Sequence, residues 1–332
     1  MISRKMCLLM CACMLGLAGC ATPPPTATEA PNVAGAAGIG DLYYPQLGNG
    51  GYDAQRYTLQ LSIDPAQGEL SGSTTMEANA TENLSTFDLD FSGLTIDSVT
   101  VNGSTADYSR SDPELTVSPA GPLQAGKSFL VVVRYHGVPS GVQPVTSADF
   151  LSAGESSIGW TRAPNGAVNV VSEPNGASSW FPVNDHPRDK ALYRFEISVP
   201  EPWIVAANGS LVETKQESGI TKFTWVMDEP MASYLATINV DKYTEKTLDG
   251  PHGIAIRSYF PPGYPESNAE RFDRLSEMIE FLEGVYGPYP FKEYGVVVAD
   301  LENPFCLQAT TALEAQTLSV HCSQPSMAGE EA

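Results

Sequence analysis

Ser172-Glu173-Pro174-Asn175-Gly176-Ala177, running on through Trp180-Phe181-Pro182-Val183-Asn184-Asp185-His186-Pro187 to Lys190, decides how this chain of 332 residues reads. Taken alone, Glu173 before Pro174 is a carboxylate at a turn, and Asp185-His186-Pro187 is a second, structural turn. Trp160, Trp180 and Trp203 read as packing residues. What lifts the stretch above a surface loop is a later partner, Ala312-Leu313-Glu314-Ala315-Gln316-Thr317. Glu314 by itself, on a short strand, would be a solvated carboxylate.

Upstream of the loop the pattern is that of strands. Tyr57, Leu59, Leu61 and Ile63 alternate onto one face, and Asp64-Pro65-Ala66-Gln67-Gly68 supplies the turn of a hairpin. The alternation returns through Phe87, Leu89 and Phe91, through Val99 and Val101 before Asn102-Gly103, and from Phe129 to Tyr135. Turn signals at this spacing belong to an all-β sandwich or saddle. Downstream, Tyr193 to Val199, Ile204 to Ala206, an Asn208-Gly209 turn, Phe223 to Val226 and Met231 to Val240 continue the sheet region. A boundary is expected between Lys242 and Gly253, after which the period becomes helical. Ser267 and Glu270 have the spacing of a capping box, with Phe272, Leu275, Ile279 and Leu282 as one apolar stripe ended by Gly284, Gly287 and Pro288. A strand over Gly295 to Ala299 and another near Leu313 to Val320 would then form a small sheet. There are no internal repeats.

The chain starts with Arg4 and Lys5, an apolar run from Met6 to Leu17, and then Leu17-Ala18-Gly19-Cys20. A charged start and a short apolar core are a secretory signal, and about twelve apolar residues are too few for a span that needs roughly twenty. The last four residues resemble the lipobox of bacterial lipoproteins, which implies cleavage after residue 19, acylation of Cys20 and a lipid-anchored protein on the outer side of the cytoplasmic membrane, in the bacterial cell envelope. Residues 20–42, rich in Ala, Thr, Pro and Gly, read as a flexible stalk. The net charge of −21 excludes a nucleic-acid partner, because a phosphate backbone demands a basic face.

Of six cysteines, Cys7, Cys11 and Cys13 leave with the signal and Cys20 takes the lipid. Cys306 and Cys322 remain, and in an oxidising compartment they are expected to pair. His136, His186, His252 and His321 are scattered and form no ligand spacing, so no metal site is expected within this chain.

The order Glu173-Pro174, Ala177, Phe181-Pro182, Asp185, Pro187 and Lys190 resembles the Glu-Pro-x-x-Ala…Phe-Pro-x-x-Asp-x-Pro…Lys signature of the aminopeptidase N family of zinc metallopeptidases. Tyr44-Pro45 with Gly48-Asn49-Gly50-Gly51-Tyr52-Asp53, Leu89-Asp90-Phe91, Asn208-Gly209 and Pro230-Met231-Ala232-Ser233-Tyr234-Leu235 are similar too, so the resemblance covers most of the chain after the stalk. It implies a mostly β protein: a β-saddle over residues 43–245, then the start of an α+β, thermolysin-like peptidase domain over 246–332. It also implies peptide substrates with a free N-terminus, whose α-ammonium would be held by Glu173 and by Glu314, with Ala312 and Leu313 beside it.

Three positions depart from the family's Gly-x-Met-Glu-Asn strand. Thr311 stands for Gly, where a β-branched residue could crowd the substrate backbone. Leu313 stands for Met, which nearly conserves volume. Ala315 stands for Asn. The family's zinc helix, His-Glu-x-x-His, would follow this strand and is not in the sequence, so zinc is expected in the complete enzyme and the chain alone is expected to be inactive. The competing reading is a non-catalytic envelope lipoprotein that binds peptides or serves structure.

Overall fold

The computed structural model describes residues 31–111, 113–145, 157–300, 306 and 312–322. The signal over residues 1–19, Cys20, Thr311 and the last ten residues lie outside them.

The alternating strands assemble into four sheets. The largest has eight strands in the order Ser210–Glu217, Ile220–Met231, Ala191–Pro200, Tyr52–Asp64, Glu69–Ala80, Ser128–Gly137, Thr95–Val101 and Ser104–Thr105. All its neighbours are antiparallel except Tyr52–Asp64 with Ala191–Pro200, which run parallel and so need the long connection that carries the Glu173 loop. Tyr57, Leu59, Leu61 and Ile63 are buried on one face, and the hairpin at Asp64 closes with Gly68 N–H donating to the Asp64 carbonyl at 2.7 Å. A four-stranded sheet orders Val33–Ala34, Leu84–Asp90, Glu114–Ser118 and Asp107–Ser111. Another orders Gly159–Arg162, Val168–Val171, Ile238–Asp241 and Ile204–Ala207. Between these surfaces Tyr57 stacks on Tyr193 with ring centroids 5.4 Å apart, and Phe181 meets Tyr57 edge-on at 5.8 Å. Trp160 and Trp180 are buried in this core, and Trp203 packs at its margin.

The fourth sheet orders Thr244–Asp249, Ala255–Phe260, Glu293–Ala299, Leu318–Cys322 and Ala312–Ala315. Ala255–Phe260 and Glu293–Ala299 are parallel, joined by a helical crossover. This sheet shares the main core: Tyr243, Tyr259, Val297 and Leu318 belong to the same buried cluster as Tyr57 and Trp225.

Three expectations change. Part of the expected stalk is held in place: Val33–Ala34 pairs with Leu84–Asp90, and Gly35 N–H donates to the Thr86 carbonyl at 2.8 Å. Backbone hydrogen bonds rather than apolar side chains hold it. Gly35 permits that approach, since a Cβ there would lie 3.1 Å from Phe87 Cα. Next, Ser267 caps nothing. The helix begins after Pro265 and spans only Glu266–Ala269, tightens to 3-10 geometry over Glu270–Arg274 and resumes over Leu275–Tyr286. Pro265 takes the N-cap position in extended geometry, and its carbonyl accepts Asn268 N–H and Ala269 N–H, so the helix starts two residues earlier than the Ser-x-x-Glu spacing indicates. Leu275 and Ile279 bury against Ile256, Phe260, Val296 and Val298, while Leu282 stays half exposed. Lastly, the single strand expected near Leu313 to Val320 is a hairpin of Ala312–Ala315 and Leu318–Cys322, because Thr317 turns the chain with φ of 65°.

Candidate functional site

Glu173 follows directly on the buried strand Val168–Val171, and its side chain is exposed while Ser172 beside it is fully buried. The loop closes on itself: Gly176 N–H donates to the Ser172 carbonyl at 2.6 Å. Only glycine fits there, because a Cβ on residue 176 would lie 2.6 Å from Gly159 N. The expected turn at Asp185 is the loop's foundation. Its carboxylate accepts Ser178 N–H at 3.1 Å and Ser233 Oγ–H at 2.8 Å, tying the Glu173 loop to the 3-10 turn Ser233–Leu235. Asp185 N–H donates in turn to Asp90 Oδ2 at 2.7 Å, and Asn49 Nδ2 to the same oxygen at 3.1 Å. Burial pushes the Asp185 carboxyl up to about 6, against the lowering effect of these donors. Burial, with the Asp185 charge beside it, raises Asp90 well above the usual carboxylate range.

Tyr234 stands at the centre of that turn. Burial first, and then the Glu173 charge, raises its phenol above the ordinary value.

Glu314 sits on Ala312–Ala315, the edge strand of its sheet among the described residues. Leu313 and Ala315 are buried and Glu314 between them is exposed, the alternation of a strand with one packed face. Ala312 is half buried. Its strand partner His321 is lowered by burial, partly offset by the Glu314 charge. Cys306 and Cys322 form a disulfide with Cα atoms 5.3 Å apart, fastening the end of the hairpin to the segment before it.

Two connections bring the carboxylate-bearing segments together. Val171 and Leu313 share a small buried cluster with Ala299 and Val320. Beside it runs a polar relay in which Thr237 Oγ–H donates to the Val170 carbonyl at 2.7 Å, Thr237 N–H to Asn208 Oδ1 at 2.7 Å, and Asn208 Nδ2 to the Gln316 carbonyl at 2.7 Å. Gly209 N–H donates to Thr317 Oγ1 at 2.7 Å, which fixes that β-branched residue in a left-handed conformation it would otherwise avoid. Among the described residues no hydrogen bond or ion pair engages Glu173 or Glu314, and both residues are exposed. Among the described residues, Ser172 Oγ and Gln316 Nε2, one on each segment, are buried without a partner.

Asn208 and Thr237 escaped sequence reasoning as site residues. Asn208-Gly209 is legible as a turn, but nothing in the spacing points its side chain at a hairpin 108 residues further on. Among the described residues no group of three His, Cys, Asp or Glu could hold a metal ion. Of the histidines, His136, His186 and His252 pair with Asp97, Asp41 and Glu283.

The family model for the Peptidase M1 N-terminal domain matches residues 53–235. Leucine aminopeptidase 2 of Yarrowia lipolytica is 26% identical over 273 residues, 77% of this chain and 39% of that protein. A mutant of a two-domain M1 zinc metallopeptidase bound to L-arginine superposes with a TM-score of 0.75 at 25% identity, over 86% of this chain and 64% of that one. A Deinococcus radiodurans M1 zinc metallopeptidase mutant bound to the substrate Tyr-Ser-Ala gives 0.75 at 26% identity, with the same coverage. The chain thus spans about two fifths of the curated relative and less than two thirds of the solved ones. With more than half of its length matched by the family model, this chain belongs to the M1 family of zinc metallopeptidases, whose N-terminal domain it carries.

Proposed function

We propose that this chain is the substrate-anchoring portion of a zinc metallo-aminopeptidase that releases N-terminal residues from peptides, with Glu173 and Glu314 sharing the α-ammonium of the substrate. The observation that carries the reading is the pair of unengaged, exposed carboxylates on two segments locked together by the Val171–Leu313 packing and the Thr237–Asn208 relay. One unit-charge pair at 4 Å is worth about 4 kcal/mol at an effective dielectric near 20. Two such carboxylates would hold an ammonium at a fixed place, and so select the chain end over an internal peptide bond. Leu313 and Ala312 would form the floor beside the bound residue. Residues 43–245 would serve as the saddle domain and 246–332 as the beginning of the peptidase domain. Zinc belongs to the complete enzyme in this reading, and this chain supplies no ligand to it. Cys20 would carry the lipid that holds the protein in the bacterial cell envelope.

The test is binding by the full chain of Tyr-Ser-Ala and of its N-acetyl derivative, followed by calorimetry or NMR. The free amine is expected to bind tighter by about tenfold or more, and Glu173→Gln or Glu314→Gln to remove most of that preference. Equal binding of the two peptides would refute the clamp and leave a peptide-binding or structural lipoprotein.

A further inference from the structure

Asn208 is fully buried, and its carboxamide spends every hydrogen-bonding group on backbone. Oδ1 accepts Thr237 N–H at 2.7 Å, while Nδ2 donates to the Leu235 carbonyl at 3.0 Å and to the Gln316 carbonyl at 2.7 Å. Leu235 adjoins Tyr234, whose phenol lies in the field of Glu173. Gln316 lies two residues after Glu314. Thr237 continues the relay through its hydroxyl to the Val170 carbonyl at 2.7 Å, three residues before Glu173, and is itself braced by Asn239 Nδ2 at 3.0 Å. Gly209 makes the placement possible: its φ of 80° turns the backbone so that the preceding side chain enters the seam.

A buried carboxamide with three backbone partners on two segments fixes their distance more narrowly than apolar contact does. Val171 and Leu313 can slide by fractions of an ångström at little cost, whereas hydrogen bonds weaken steeply away from their preferred length and angle. A single amide group therefore stands between the loop that carries one carboxylate and the hairpin that carries the other.

We propose that Asn208 is a positioning residue that sets the separation of Glu173 and Glu314, and through it the preference for ligands with a free α-amine. The inference rests on the clamp reading above. It goes beyond it by assigning the selectivity to a residue that touches neither ligand nor carboxylate. Misplacing a binding group by about 1 Å can cost on the order of a hundredfold in a well-oriented site.

The experiment uses the full 332-residue chain and two probes, Tyr-Ser-Ala and N-acetyl-Tyr-Ser-Ala. Asn208→Asp keeps the acceptor for Thr237 N–H but sets an oxygen against the Gln316 and Leu235 carbonyls. Wild type is expected to favour the free amine by about tenfold or more, and Asn208→Asp by no more than about threefold, with affinity for the acetylated peptide unchanged. A purely structural role would move both affinities together or neither. Hydrogen exchange should rise in Ala312–Cys322 of the variant and stay the same in Tyr52–Asp64. Thr237→Val, which breaks the relay at Val170 while keeping the backbone N–H, gives an independent variant if Asn208→Asp folds poorly, and is expected to lower the preference in the same way. Wild-type preference retained in both variants overturns the positioning role and leaves the clamp standing. No preference in wild type sinks the clamp reading first and the role of Asn208 with it.

Discussion

Val171 and Leu313, which precede the two exposed glutamates by two residues and by one, are buried in the same four-residue cluster. The loop and the hairpin therefore share one small piece of core, separate from the main one. Leu313→Ala should cost about 2 kcal/mol, the low end for a buried leucine, because among the described residues its cluster is small, with Val171, Ala299 and Val320 as the other buried members. Val171→Ala should cost less. Since each removes the same contact, the double variant should fall short of the sum of the singles by about 0.5 kcal/mol or more in urea unfolding. Strict additivity would mean that the two segments are not packed together.

The Cys306–Cys322 bond closes a separation of 16 residues around the Glu314 strand. In the chain-entropy model, closing such a loop stabilises by roughly 3 kcal/mol. Both thiols should resist alkylation in the native, unreduced protein. Reduction should raise hydrogen exchange in Ala312–Cys322 while leaving the eight-stranded sheet protected. Ready alkylation of both cysteines without reductant would contradict the bond.

Much of the saddle was legible because its strands alternate with period two over long runs, and because Pro174, Pro182 and Pro187 punctuate the loop at family spacing. The segments that carry Glu173 and Glu314 stood out through their likeness to family motifs, and the hairpin geometry of the second did not. What the sequence hid is long-range or locally atypical. The hairpin at Gln316-Thr317 carries no Gly or Asn, so its turn depends on Gly209 holding the Thr317 hydroxyl from a distant segment. Val33, Ala34 and Gly35 offer no long alternating run, yet the backbone edge of Leu84–Asp90 gives them a place. The role of Asn208 is set entirely by tertiary placement.

Stability should be higher in mild acid than at neutral pH. Burial raises Asp185 to about 6 and Asp189 to about 7, and burial together with Asp88 raises Glu114 to about 7. A carboxyl with a folded pKa above its unfolded value binds more protons when folded, so its contribution is complete below about pH 4 and is lost as pH climbs through 6 to 7. Glu196 runs the other way: although burial opposes it, hydrogen bonds from Lys222, Arg194 and Gln60 hold it down to about 2, so its contribution disappears only below about pH 4.5. The three raised carboxyls outweigh Glu196 above about pH 4, so a stability maximum near pH 4 follows, and the melting temperature should drop by several degrees on going to pH 8. Asp185→Asn, which carries no charge to bury, should flatten that slope. A melting temperature that climbs steadily from pH 5 to pH 8 would show that these carboxyls are not raised.

The clamp can be tested for catalysis once the chain is joined to the portion of an M1 metallopeptidase that it does not span. Glu173→Ala or Glu314→Ala would remove one charge partner of the substrate ammonium from a partly enclosed site, where a charge-assisted hydrogen bond is stronger than in water. Neither residue would bind the metal, so zinc content should be unchanged. Each variant should lose about a hundredfold in kcat/KM on a substrate with a free amine, which corresponds to about 2.7 kcal/mol of transition-state binding. A substrate with a blocked amine never uses the clamp and should react slowly but almost equally with wild type and both variants. The double variant should be little worse than either single one if the two carboxylates act on one ammonium as a unit. Near-normal kcat/KM in both single variants on free-amine substrates would remove the carboxylates from the mechanism, and the saddle would then be a peptide-binding surface of another kind.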